Sequence, residues 1–191
     1  YRGTYRSGAV WNQLEAAGIP EVKGVWAHEA GGSRLWLTVA IKQLYAGHSK
    51  QARLIASQCH AGAYANRFVV VVDEDIDPAD MDKVLWAMCT RCDPAEDIGI
   101  MRKSWGSKVD PLITDHTALY NSRALIDACR PFERITTFPR VAETSPQMVR
   151  QTVAKWKDLF ADPRFPLSES VIPSTAVSGD PGTSGPAPGK K

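Results

Sequence analysis

The apolar pattern of this chain changes period near position 70, and the surrounding elements follow from that change. Positions 68–72 are five consecutive apolar, mostly β-branched residues. The run is too short for a buried helix and shows no polar alternation, so it predicts a strand covered on both faces. Asp73, Glu74, Asp75 and Asp77 follow within five positions. Unpaired carboxylates are costly to desolvate, so these acids predict a solvated loop. Asp77-Pro78 predicts a helix start, because an aspartate accepts from orphan N–H groups and proline suits the first helical position. Met81, Val84, Leu85 and Met88 then recur at helical spacing as one stripe facing the sheet, and Asp93-Pro94 predicts the end of that helix.

The flanking patterns are consistent with this centre. Positions 7–17 carry Val10, Trp11 and Leu14 on one face and break at Gly18-Ile19-Pro20, which predicts a short amphipathic helix. Two apolar stretches, 22–27 and 35–41, predict strands separated by a turn at Gly31-Gly32. Gly47 and Ser49 open a predicted helix to about position 64, with Ala52, Ile55, Ala56 and Cys59 inward and Lys50 and Arg53 outward. Strand 35–41, helix 49–64 and strand 68–72 make a β-α-β crossover, which needs parallel pairing and a right-handed connection. The expected fold class is α/β, a mixed sheet with a β-α-β crossover flanked by helices.

Positions 98–101 predict a further short strand, and 110–144 irregular structure with a short helix over 122–129. Ser145-Pro146 opens a last predicted helix with Val149, Val153, Trp156 and Phe160 at helical spacing. Trp156 is expected as a core or interface anchor, and Leu167 as the last packed residue. From 168 to 191 the chain is mostly Ser, Pro, Gly, Thr and Ala, which cannot offset the entropy of ordering and predicts disorder.

Composition narrows the class. With 191 residues, 43% hydrophobic, the chain can bury one core. A net charge of +2 gives no argument for nucleic acid. No apolar run approaches the roughly 20 residues of a membrane span, and no signal-peptide pattern opens the sequence, so a cytoplasmic location without membrane partners is expected. The chain opens at Tyr1 and its first methionine is Met81, which predicts a piece of a longer product. Four cysteines without a secretion signal predict reduced thiols. Cys89 and Cys92 form a C-x-x-C at a helix C-terminus, the wrong end for a lowered thiol pKa, and no second pair has zinc spacing. His48 is expected as a surface or capping histidine; His28, His60 and His116 are equally isolated.

Two stretches carry candidate chemistry. Asp73, Asp75 and Asp77 have the spacing of a calcium loop, but such a loop needs glycine and glutamate where Pro78 and Val84 stand. An apolar strand ending in D-x-D also resembles the motifs of haloacid-dehalogenase-type phosphatases and sugar-nucleotide transferases, which would use Asp73 and Asp75 with a divalent metal. The phosphatase pattern wants Thr or Val at position 77, where Asp stands. The second stretch, 102–108, reads as a loop with three cations, in which N–H groups freed by Gly106 together with Lys108 suit a phosphate.

Taken together, AIKQLYAGHSKQA (40–52), VVVVDEDIDPADMDKVLWAMCTRCDPAEDI (69–98) and GSKVDPL (106–112) resemble the C-terminal half of the UbiD family, reversible decarboxylases that use prenylated FMN. The resemblance runs through most of 8–167. It implies that 1–20 is a linker helix from an N-terminal flavin-binding domain, 21–167 a UbiD-like C-terminal α/β domain, and 168–191 a tail. It implies removal or addition of CO₂ on aromatic or α,β-unsaturated carboxylic acids, with prenylated FMN, a divalent metal (Mn) and K⁺, in a homo-oligomer, dimer or hexamer. The family's catalytic Arg, its acids and its metal ligands lie upstream of the helix beginning near Ser7. No catalytic or metal-ligating residue therefore maps onto this chain, and the resemblance assigns Lys108 alone, as a contact to the cofactor's phosphate end. The function expected is the oligomerisation and cofactor-closing part of a UbiD-type decarboxylase, inactive alone. The alternatives are a non-catalytic assembly module and the D-x-D enzyme.

Overall fold

The computed structural model describes residues 2–64, 66–114, 117–142 and 144–165. The chain forms two compact units, Tyr1–Phe138 and Pro139–Lys191, with the boundary inside the 21–167 stretch.

The first unit holds the sheet. Its strands are β1 (Val22–Ala27), β2 (Trp36–Ile41), β3 (Phe68–Asp73), β4 (Ile98–Trp105) and β5 (Tyr120–Ala128), in the order β1-β2-β3-β5-β4. β2, β3 and β5 are parallel, and β1 and β4 flank them as antiparallel edges. The crossover from β2 to β3 is the one the sequence predicts. Both edges are irregular: the register shifts between Val22 and Gly24 in β1 and between Met101 and Ser104 in β4, where Lys103 has a positive φ of 51°.

The strand alternation divides the core. Leu37, Val39, Ile41, Val69, Val71 and Leu125 face α1 (Arg2–Ala16) and α2 (His48–Gln58), meeting Val10, Leu14, Ala52 and Ala56. Ala40, Val70, Val72, Ile126 and Ala128 face the other way, onto Val84 and Ala87 of α4 (Met81–Arg91). Val69 through Val72 are wholly buried, so β3 is the two-sided strand expected of an unbroken apolar run.

Several expectations need correction. The helix predicted over 49–64 is two, because Cys59 is extended (ψ 148°) between α2 and α3 (His60–Ala63). A Cβ on Gly62 would lie 1.9 Å from the Ala56 carbonyl oxygen, so the break needs glycine there. Asp77 accepts from Ala79 N at 2.9 Å in a turn, and the cap of α4 is Asp80, accepting from Lys83 N at 3.2 Å. The helix starts later, and its buried positions are Val84, Ala87 and Arg91, with Leu85 exposed. Asp93 caps a short α5 (Pro94–Asp97) with Pro94 in its first turn. β4 runs four residues beyond the predicted 98–101. Residues 122–129, expected as a helix, lie mostly in β5, next to the central strand β3. His48 is buried, its Nδ1 accepting from Leu44 N at 3.3 Å and its ring stacked on Tyr45 at 4.5 Å.

In the second unit, Ser145 caps α6 (Pro146–Lys155), accepting from Met148 N, and α7 (Lys157–Phe160) follows. Trp156, expected as a core or interface anchor, is half exposed, which argues against the core. Leu167 and the 168–191 tail lie outside the described residues. No described helix is long and apolar enough to cross a membrane.

Candidate functional site

The two candidate stretches sit at opposite ends of the parallel strands. Asp73 ends β3 at the carboxyl side. It is buried, not solvated, because donors surround it: Gln43 Nε2 at 2.7 Å on Oδ1, and Arg91 Nη1 (3.0 Å), Arg130 N (2.8 Å) and Arg130 Nε (2.9 Å) on Oδ2. Asp75 takes a two-pronged contact from Arg91, 2.9 and 2.6 Å, which holds its carboxyl below the ordinary value. Arg91 stacks over Trp86 at 5.2 Å, and its Nε is buried without a partner among the described residues. Four donors leave Asp73 little capacity for a metal, so the geometry disfavours the D-x-D reading. No metal-holding cluster of His, Cys, Asp or Glu occurs among the described residues. Beside this cluster, Asp127 accepts from Ser49 Oγ at 2.5 Å and from Cys129 N at 3.1 Å; burial pushes its carboxyl up from the ordinary value.

Lys108 lies at the amino end, in the loop after β4. Residues 102–105 belong to the strand, so the loop expected over 102–108 begins at Gly106. Gly106 N donates to Leu119 O at 2.9 Å, and a Cβ there would approach Ile113 Cδ1 to 3.0 Å. Two turns follow, Asp110 N to Ser107 O at 2.9 Å and Ile113 N to Asp110 O at 3.1 Å. The lock is Asp110, fully buried, which pairs with Arg67 and accepts from Asn121 Nδ2 (2.9 Å) and Leu112 N (3.0 Å). Such a buried pair with additional hydrogen bonds fixes one loop conformation. Lys108 stands at its exposed tip and forms no ion pair or hydrogen bond among the described residues. A cavity of about 730 Å³ lies on the loop's flank, lined by Arg67, Arg102, Lys103, Leu112 and Tyr120. Leu112 and Tyr120 of this lining are exposed, as are Val109 and Trp105 of the loop and strand that flank Lys108.

Buried Arg123 ties this end to the helices. It donates to the carbonyls of Ser57, Ala63 (2.8 Å) and Trp105 and to Asn121 Oδ1 (3.2 Å), so it caps the carbonyls left open by the α2–α3 break. The sequence reading missed a neighbouring group: Arg2, Arg6 and Arg34, with Tyr64. Its one visible signal is Arg2-x-x-x-Arg6, two cations on one helical face, an arrangement that is unfavourable in an isolated helix.

Three comparisons bear on this geometry. A family model described as 3-octaprenyl-4-hydroxybenzoate carboxy-lyase C-terminal domain matches residues 2–128. An anhydromevalonate phosphate decarboxylase of Aeropyrum pernix is 30% identical over 131 residues, 69% of this chain and 28% of that protein. A phenolic acid decarboxylase of Sedimentibacter hydroxybenzoicus is 29% identical over 122 residues, 64% of this chain and 24% of that protein. Among solved structures, the UbiD-class enzyme HmfF of Pelotomaculum thermopropionicum in complex with FMN superposes with a TM-score of 0.66 at 26% identity, over 79% of this chain and 32% of that one. The chain thus spans under a third of the length of the relatives it matches.

Proposed function

This chain belongs to the UbiD carboxy-lyase family, matching its C-terminal domain, and from that premise we propose that it is the oligomerisation and cofactor-closing part of a decarboxylase acting on an aromatic or α,β-unsaturated carboxylic acid with prenylated FMN. The observation that carries this is the Lys108 loop, fixed by buried Asp110 while leaving the ammonium group exposed and without a partner among the described residues. A flexible cation on a rigid base suits the phosphate end of a flavin, and the donor set fits that one contact. When bound, the flavin would supply an acceptor for the electron pair released as CO₂ departs; the resemblance places the ligands of Mn and K⁺ upstream, and no metal-holding cluster of His, Cys, Asp or Glu occurs among the described residues. Lys108 would neutralise phosphate charge and orient the cofactor. Exposed Leu112, Val109 and Tyr120 would exclude water where the rest of the enzyme meets this face.

Replacing Lys108 by Met in the full-length enzyme should weaken FMN binding by about tenfold, a single charge-assisted contact, with no loss of folding. The 191 residues alone should show no decarboxylation; turnover by them would sink the reading. The alternative, a non-catalytic assembly module in a homo-oligomer, predicts a stable dimer or hexamer by sedimentation with no flavin affinity in any context.

A further inference from the structure

We propose that the cleft between α1, the turn before β2 and α3 is a second anion site, one that takes a phosphate ester. It is a cavity of about 520 Å³ lined by Arg2, Arg6, Arg34, His60 and Tyr64, and no carboxylate is among its lining residues. The inference is independent of the flavin contact assigned to Lys108.

Every other buried charge described above has its own partners. Asp73 meets Arg91 and Arg130, Asp110 meets Arg67, and Arg123 meets three carbonyls and an amide. The cleft departs from this. None of its three arginines forms an ion pair among the described residues. Arg6 Nη1 donates to Tyr64 O at 2.7 Å and Ala61 O at 3.4 Å, contacts that orient the guanidinium without neutralising it. Nη1 of Arg34 is buried with no hydrogen-bond partner among the described residues. An unmade bond on a buried guanidinium nitrogen is costly, and it is relieved when an acceptor arrives.

The geometry concentrates the charge. The Arg6 and Arg34 guanidiniums both stack on Tyr64, at 5.3 and 5.2 Å from the ring centroid. Burial first, and then the charge of Arg34, push the Arg6 pKa down. Hydrogen bonds from Ser107 and then Arg34 draw the Tyr64 phenol down from its ordinary value, so the phenol joins the cleft to the base of the Lys108 loop. Guanidinium forks match the tetrahedral oxygens of phosphate, and a dianion neutralises more of the charge of three cations than a carboxylate does. The cleft is open to solvent, which leaves room for the organic part of an ester beside the phosphate.

The test is isothermal titration of the 191-residue chain with inorganic phosphate in about 0.1 M salt, where the Debye length is about 10 Å, with benzoate as the carboxylate comparison. Saturable binding is expected, weakened about tenfold in Arg34→Met, about threefold in Arg2→Ala and less than twofold in Lys108→Met. Arg2 is exposed, so its variant decides the matter if Arg34→Met does not fold by circular dichroism. The proposal is overturned if wild type shows no saturable binding. It is equally overturned if Lys108→Met removes the binding that the arginine variants keep, or if benzoate binds more tightly than phosphate.

Discussion

The two ends of the parallel strands contain the same chemical groups in opposite states. At the carboxyl end, arginines and aspartates meet inside the protein and cancel: Asp73, Asp75, Arg91 and Arg130 form one network with Gln43. At the amino end, Asp110 and Arg67 cancel, but Lys108 and three arginines do not. Ligands in open α/β sheets usually bind outside the carboxyl ends of the strands. In this unit Asp73 and Asp75 at that end are paired with Arg91 and Arg130 beside a cavity of about 190 Å³, and the cleft of three arginines without ion pairs among the described residues lies at the other end. Where a fold habitually places a site is therefore a weaker guide than which charges have been left without partners.

That contrast can be broken at its closed end first. Asp73→Asn leaves Arg91 buried beside a lost counter-charge, and removing one partner of such a pair costs about 3–5 kcal/mol. Urea denaturation should show a lower midpoint by that amount; a change under about 1 kcal/mol would mean the network is ornamental. Asp110→Ala removes the lock beneath Lys108 and frees Arg67 and Asn121. A loss of about 2–3 kcal/mol is expected, together with faster amide exchange in 107–113. Lys108→Met, in contrast, should leave the midpoint within about 0.5 kcal/mol.

The pH response should separate the same region more finely. The Asp127 carboxyl is raised by burial, so the folded state binds its proton more tightly than the unfolded chain. Its contribution is fully present below the unfolded value, near pH 4, and is lost as pH rises through the folded value. Asp127→Asn should flatten that decline in a series of denaturation curves, while keeping the contacts with Ser49 and Cys129. Asp75 has the opposite sign: lowered by Arg91, it stabilises above its unfolded value and loses that contribution as pH falls. A small effect is expected at Gly106→Ala, where the added Cβ meets the movable end of Ile113. About 1 kcal/mol or less is expected.

The α/β class, the β2-α2-β3 crossover and the two-sided β3 were legible because apolar period alone encodes them. β5 was not, because Arg123 and Asp127 interrupt its apolar run. Both are buried by partners 18 to 78 positions away, such as Trp105 and Ser49. Asp73 was misread for the same reason: a carboxylate is too costly to bury until Arg91 and Arg130 are known to arrive. Lys108 could be named from its motif, but its support by Asp110 and Arg67 depends on a contact across 43 residues. Arg34 gives no signal in the sequence, since the unmade bond at its Nη1 is a property of the folded surroundings.

The irregular edges have one more consequence. A sheet with two open edge strands invites foreign strands to dock along its unpaired backbone groups. Here each edge carries a register shift with a lysine at it, Lys23 in β1 and Lys103 in β4, the latter in a left-handed backbone conformation. A displaced ladder and a charged side chain deny a newcomer a continuous row of partners. The same irregularities that bend the ends of the sheet thus guard it against aggregation while the chain is being made.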